Sequence, residues 1–181
     1  MRLISALLTF FILCSDSIAY DPLDKEERND YVAPVETWQE ESPEIPKTFS
    51  EENLQSFSVP GPNNRFQYFI ERDSLQTGGD GVTRFLLVIR SNRGAVNSSY
   101  EGLRCGLREH KIYAYGDGEK LTPMPGSAWE EIPKGGKDYR TILYEDLICN
   151  LLTGKPNPPD TIFNAMRDNH LVNAPFIGGE R

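Results

Sequence analysis

From residue 82 to residue 90 the chain carries its longest β-favouring run, dominated by apolar and β-branched side chains. A turn cluster follows, Ser91-Asn92-Arg93-Gly94, and then a second extended segment that ends at Cys105. Residues of this kind suit a pleated, half-buried surface, so the stretch predicts a β-hairpin around which the rest of the chain is arranged. A four-residue loop over 91–94 sets Arg90 opposite Ala95, Ile89 opposite Val96, Leu87 opposite Ser98, Phe85 opposite Tyr100 and Arg84 opposite Glu101. One face then carries Phe85, Leu87, Ile89, Val96 and Tyr100 and is the expected core face. The other is mixed, with Arg84, Leu86, Val88, Asn97, Ser99 and Glu101. A one-residue bulge would flip the second strand and undo this pairing.

The same alternation predicts a strand over 66–71, where Phe66, Tyr68 and Ile70 share a side opposite Gln67, Phe69 and Glu71. A long connection is expected over 72–81, ending in Thr77-Gly78-Gly79-Asp80-Gly81. Asp73 and Asp80 do not make a calcium loop of the EF-hand kind, because Leu75, Thr77 and Arg84 stand where further carboxylates would be needed. Residues 110–116 read as a strand, with Tyr113 and Tyr115 on one side and Ile112 and Ala114 on the other. Asp117-Gly118 is a hairpin turn signal that brings 119–124 back, and Pro123 and Pro125 place that return at a sheet edge. A short strand is expected near Trp129.

After Gly135-Gly136 the period changes. Asp138 is a candidate N-cap, with Leu143, Tyr144, Leu147, Ile148 and Leu151 at helical spacing. Cys149 falls almost opposite that stripe, so the helix is expected to end or kink near Leu147. Pro156, Pro158 and Pro159 interrupt the chain. Asp160 then caps a short helix reaching about Asn169, with Ile162, Ala165 and Met166 as its apolar stripe. The fold class expected from these patterns is α+β: a single antiparallel β-sheet of four to six strands with C-terminal helices packed on one face.

The beginning of the chain follows different rules. Arg2 precedes an apolar run over 3–13, and Ser17-Ile18-Ala19 places small residues where a signal peptidase cuts, so 1–19 reads as a secretory signal peptide. The run is too short to span a bilayer, which takes about 20 residues. Cys14 does not read as a lipid-attachment site, because bulky Leu13 precedes it. Residues 20–62 are acidic and proline-rich, and are expected to be extended and partly ordered from about residue 38, with Trp38, Phe49, Leu54 and Phe57 tacking the segment to the domain. Residues 63–171 form the expected globular α+β domain and 172–181 a flexible tail.

Export changes the reading of the cysteines. With Cys14 removed, Cys105 and Cys149 are left as a pair in an oxidising compartment, which favours one disulfide over two buried free thiols. The formal net charge of −8 argues against nucleic acid, whose phosphates call for clustered Lys and Arg. There is likewise no basic amphipathic segment to hold the processed chain on a membrane.

The residues in and around the hairpin carry a resemblance. Gly81-Val82-Thr83-Arg84, Val88-Ile89-Arg90-Ser91, Gly94-Ala95 and above all Ser99-Tyr100-Glu101-Gly102-Leu103-Arg104-Cys105 resemble the cryptic neisserial protein-like family of exported proteobacterial proteins. Trp38-Gln39-Glu40, Tyr113-Ala114-Tyr115-Gly116, Trp129 and Leu143-Tyr144-Glu145-Asp146 follow in that family's order, covering about residues 38–170. Ile148 and Asn150, beside the second cysteine, depart from its pattern. The resemblance implies an envelope location in a Gram-negative cell and a family without an assigned activity, so no catalytic residue is carried over.

Catalytic hardware is sparse. There are two histidines, His110 and His170, no cluster spaced for zinc, no nucleophile elbow and no phosphate or dinucleotide loop. Nothing calls for a cofactor. Glu101 lies among arginines, which suits ion pairing better than proton transfer. The candidate ligand patch is Arg84, Tyr100, Glu101, Arg104, Tyr113 and Arg140, converging at the end of the hairpin. The functional expectation is an exported periplasmic or envelope-associated, non-catalytic binding module whose partner is an envelope protein or a small ligand. The alternative is an envelope hydrolase using Glu101 or His110.

Overall fold

Residues 82–88 are buried without interruption. Successive residues of a strand point to opposite faces, so this strand must be covered on both sides. The structure, a computed structural model, describes residues 37–60 and 65–168 and shows what provides the two covers. The expected signal peptide, Cys14, residues 20–36, His170 and the expected tail lie outside the described residues.

Six strands run as an antiparallel meander: β1 (Leu54–Phe57), β2 (Phe66–Thr77), β3 (Val82–Ser91), β4 (Val96–Arg104), β5 (Glu109–Gly116) and β6 (Leu121–Pro123). A seventh, β7 (Glu130–Glu131), pairs with the start of β5. The expectation of four to six strands is therefore low for the described residues, and the fold is mostly β. Two segments account for the difference. Residues 54–57, assigned from sequence to the extended arm, are the edge strand β1. Residues 72–77, assigned to a connection, continue β2 past a wide bulge. There the pairing steps from Glu71 opposite Leu86 to Gln76 opposite Arg84. The Ser74 hydroxyl fills the gap in the ladder, accepting from the Leu86 amide at 2.8 Å and donating to the Glu71 carbonyl at 2.6 Å.

The β3–β4 hairpin closes on a three-residue loop, Asn92-Arg93-Gly94. The Ser91 amide donates to the Ala95 carbonyl at 2.8 Å, and Gly94 has φ +85°, a value at which a side chain would be strained. Phe85 accordingly faces Glu101, Leu86 faces Tyr100 and Arg84 faces Gly102. The expected register was one residue out. The expected Arg84–Glu101 pair does not form, because the two residues lie on opposite faces.

One face packs on the C-terminal layer: Phe85, Leu87 and Leu103 meet Leu143, Leu147, Ile148, Ile162 and Met166. The other face carries Leu86, Val88, Tyr100, Tyr113, Ala114 and Leu121, and is closed by Ile45 and Phe49 of the arm, residues 37–50, together with Leu54. A bulge in β5 places Tyr113 and Ala114 on this same arm face, and the alternation expected for 112–115 fails there.

Asp138 caps α1 (Tyr139–Ile142), its carboxylate accepting from the Thr141 amide at 2.9 Å. The helix then widens to π-helical winding over Leu143–Ile148, which keeps Leu143, Tyr144, Leu147 and Ile148 all buried. It stops there, close to the expected end, and Cys149 enters a short ribbon of β8 (Cys149–Asn150) and β9 (Lys155–Pro156). Leu151, expected in the stripe, sits in the ribbon's turn and is 47% exposed. The last helix, α2 (Pro159–Asp168), opens on proline rather than on the expected cap Asp160, which occupies its first turn. Ile162, Ala165 and Met166 are buried as its stripe requires, with Phe163 added.

Cys105 and Cys149 are joined, with their Cα atoms 5.4 Å apart. The bond ties the end of β4 to the C-terminal ribbon. Closing a loop of 44 residues restricts the unfolded chain by about 4 kcal/mol in the entropic picture. Replacing both cysteines by serine should lower the unfolding free energy by about that amount in urea titrations. A loss below about 1 kcal/mol would show that this link is not what holds the two halves together.

Candidate functional site

At the β2–β3 turn the chain runs Gly78-Gly79-Asp80-Gly81, and the Asp80 carboxylate is the hub of the arm's attachment. It accepts from the Glu41 amide (2.9 Å), the Val82 amide (3.1 Å) and the Arg84 guanidinium (2.6 and 3.1 Å). Both side chains are sequestered, with Asp80 1% and Arg84 7% exposed. Burial alone would raise the Asp80 carboxyl, but the Arg84 bond and the two amides outweigh it and hold the group below the usual carboxylate range. Arg84 also donates to the Glu41 carbonyl at 2.9 Å, and the Trp38 indole to the Asp80 carbonyl at 2.9 Å. Gly78 is needed here because a Cβ at that position would stand 2.6 Å from the Glu41 carboxylate and 2.9 Å from Arg84.

Beside this hub the arm face carries alternating rings and cations. The Arg104 guanidinium lies 3.9 Å from the Trp38 ring and 5.1 Å from the Trp129 ring. The two indoles meet edge-on at 6.2 Å, and Trp129 meets Tyr113 edge-on at 6.5 Å. Glu40 closes the row, accepting from Lys111 at 2.8 Å and from the Tyr113 hydroxyl at 2.7 Å. Burial and the bond to Glu40 both push the Tyr113 phenol up. For Glu40 burial works upward, and the bonds from Lys111 and Tyr113 more than reverse it.

The opposite face holds a second polar cluster. Glu101 is fully buried, and its carboxylate accepts from Ser99 (2.7 Å), Tyr139 (3.0 Å) and the Arg140 Nε (3.0 Å). Burial, then the negative charge of Glu101, raises the Tyr139 phenol. A carboxylate whose oxygens are held by two hydroxyls and a guanidinium is committed to an ion pair rather than to proton transfer. His110 lies nearby, buried, with Nε2 3.7 Å from the exposed Glu130 carboxylate and Nδ1 without a partner. Burial and the positive Arg140 lower its pKa, outweighing Glu101, Glu130 and Asp138.

The six residues of the expected patch are thus divided between two faces. Arg84, Tyr100, Arg104 and Tyr113 stand on the arm face, and Glu101 and Arg140 on the helix face. Arg140 is bonded to Glu101, whereas on the arm face only ring contacts of Tyr113 with Tyr100 and Arg84 join members of the patch, and the single convergence expected at the end of the hairpin does not exist. What the sequence reading missed on the arm face is Asp80, Glu40, Lys111 and Trp129. Asp80 read as turn chemistry, and the others sit at positions with no periodic signal.

Next to the hub, between the arm and β2, runs a groove of about 700 Å³. Glu41, Glu44 and Lys47 line it from the arm, Asp73 and Gln76 from β2, and Arg84 and Tyr100 from the sheet beneath. A smaller groove of about 370 Å³ flanks the arm on its other side, between Pro43 and Met124. Among the described residues no group of three or more His, Cys, Asp or Glu is placed to share a metal ion, and no helix is long and apolar enough to cross a membrane.

The model of the CNP1-like family matches residues 33–167, which spans the arm, the sheet and both helices. The chain belongs to this family. No curated protein and no solved structure matches it. Within this CNP1-like protein the match begins just ahead of Trp38, so the arm lies inside the matched span together with the sheet.

Two consequences follow for the CNP1-like fold. Arg140→Ala leaves the Glu101 carboxylate buried without its cation and should cost about 3–5 kcal/mol in denaturant unfolding, much of it recovered when Glu101→Gln is added. His110 supplies a pH dependence. The unfolded chain protonates it near pH 6.5, the folded chain only at lower pH, so in that window the unfolded state binds more protons. The stability due to neutral His110 is complete above pH 6.5 and is lost as the pH falls through the folded value. Unfolding curves between pH 5 and 7.5 should show this slope, and it should flatten in His110→Gln.

Proposed function

We propose that this CNP1-like protein is exported, loses residues 1–19, and works in the cell envelope as a non-catalytic binding module that uses its arm-covered face. The observation that carries the reading is a contrast on that face. Its carboxylates Asp80 and Glu40 are tied up in ion pairs, whereas the groove beside them stays open, with several charged side chains in its lining. A volume of about 700 Å³ falls in the range of small-ligand sites. The groove's walls are fixed by the Asp80–Arg84 hub, so a ligand would meet a pre-formed surface.

The Cys105–Cys149 link is compatible with an oxidising compartment, and the short apolar run near the amino terminus supports passage into one. A partner would be an envelope protein or a small ligand. Hydrolysis by Glu101 or His110 draws less support. Glu101 is fully enclosed, and His110 has no hydroxyl or thiol nucleophile among its described hydrogen-bond partners.

Expressed from its own start in a Gram-negative host, the protein should be recovered from the periplasmic fraction with Tyr20 at its amino terminus. Intact mass after alkylation should show no free thiol. Recovery from the cytosol with residues 1–19 retained, or two alkylated cysteines in the native fraction, would remove the basis of the proposal.

A further inference from the structure

The groove between the arm and β2 has a chemical bias. Elsewhere on the arm face Asp80 is matched by Arg84 and Glu40 by Lys111. Around the groove that matching stops. Glu41 and Glu44, three residues apart on the arm, have no ion-pair partner among the described residues, and neither does Asp73 across from them, whose carboxylate receives only the Asn53 amide at 2.6 Å. Lys47 is the one lining cation not already committed to a carboxylate, because Arg84 is spent on Asp80.

A second observation is independent of the acids. Tyr100 is 7% exposed and lines the groove from the sheet beneath, and its hydroxyl has no hydrogen-bond partner among the described residues. Its open side is the groove, where the Arg84 cation and, less strongly, the Glu44 carboxylate act on it electrostatically. Tyr100 is the aromatic side chain of the lining, and the ring of Tyr113, 5.9 Å from it, lines the smaller groove on the arm's other side.

Resting on the reading of this face as a binding surface, we propose that the groove takes an oligoamine, a short flexible chain carrying two or more primary or secondary ammonium groups. Ammonium groups are donors without acceptor capacity. They would bridge Glu44, Glu41 and Asp73, one of them donating to the Tyr100 oxygen, while the methylene spacers lie against Pro43, Ile45 and Tyr100 of the lining. Anionic ligands are disfavoured by the uncompensated carboxylates and by the net charge of −8. A neutral sugar would leave those carboxylates without a counter-charge.

Titration calorimetry of the purified, oxidised protein with spermidine tests this. Binding is expected to weaken with added salt, to fall about tenfold in Glu44→Gln/Asp73→Asn, and to fall in Tyr100→Phe, which removes only the hydroxyl. Glu119→Gln/Glu131→Gln removes the same charge from exposed positions outside the groove and is expected to bind as the parent does. An equal loss in that control would reduce the effect to general attraction by an acidic surface and overturn the proposal. Binding of maltotriose in place of spermidine, abolished by the groove substitutions, would overturn the oligoamine assignment while leaving the binding surface standing. If neither probe binds at low salt, the assignment of this groove fails outright.

Discussion

Strand β4 presents Glu101 to the helical layer and Tyr100 to the arm because the hairpin before it closes on three residues, with Gly94 at positive φ. With one more residue in the loop, every side chain of β4 would change sides. Glu101 would then sit under the arm, far from Arg140 and Tyr139, and Tyr100 would enter the helical core. The two polar clusters and the groove all take their positions from this one register. The bulge at Tyr113 is its complement, since it turns β5 so that the tyrosine rejoins Tyr100 on the arm face.

The two covers of the sheet are held by different physics. The C-terminal layer is an apolar core of leucines, isoleucines and aromatics, reinforced by one covalent link and by the Glu101 cluster at its margin. The arm contributes few apolar side chains, chiefly Ile45 and Phe49, and is fastened by directional bonds to Asp80, Arg84, Lys111 and Tyr113. A segment rich in proline and glutamate cannot bury much surface, so its attachment depends on donors and acceptors supplied by the sheet. That is why charged groups gather under the arm, and why the space beside it is a polar groove rather than a filled core.

Local patterns carried much of the architecture. Asp138 as a cap, the stripe Ile162, Ala165 and Met166, and the Asp117-Gly118 turn are all legible within a few neighbouring positions, because their causes are local. The pairing of Cys105 with Cys149 followed from their number. The partnerships that make the site are not local. Trp38 meets Asp80 across 42 positions, and Glu40 meets Tyr113 across 73. Neither end of such a pair betrays the other by period or composition. The register error had a different origin. Loops of three and four residues are both compatible with Ser-Asn-Arg-Gly, and only the backbone twist at Gly94 decides between them.

The order of synthesis gives the arm's long reach a further meaning. It is made before the surface it covers, and the helices that cover the other side are made last. A meander can pair strand by strand as it emerges, since each hairpin is near in sequence. Yet until residue 113 exists the arm lacks the tyrosine that holds Glu40, and until residue 149 exists the covalent link cannot close. A sheet that paired before those contacts were available would carry bare apolar side chains on both sides, and acidic, proline-rich residues at its leading end are well suited to keep such a species from sticking to its neighbours.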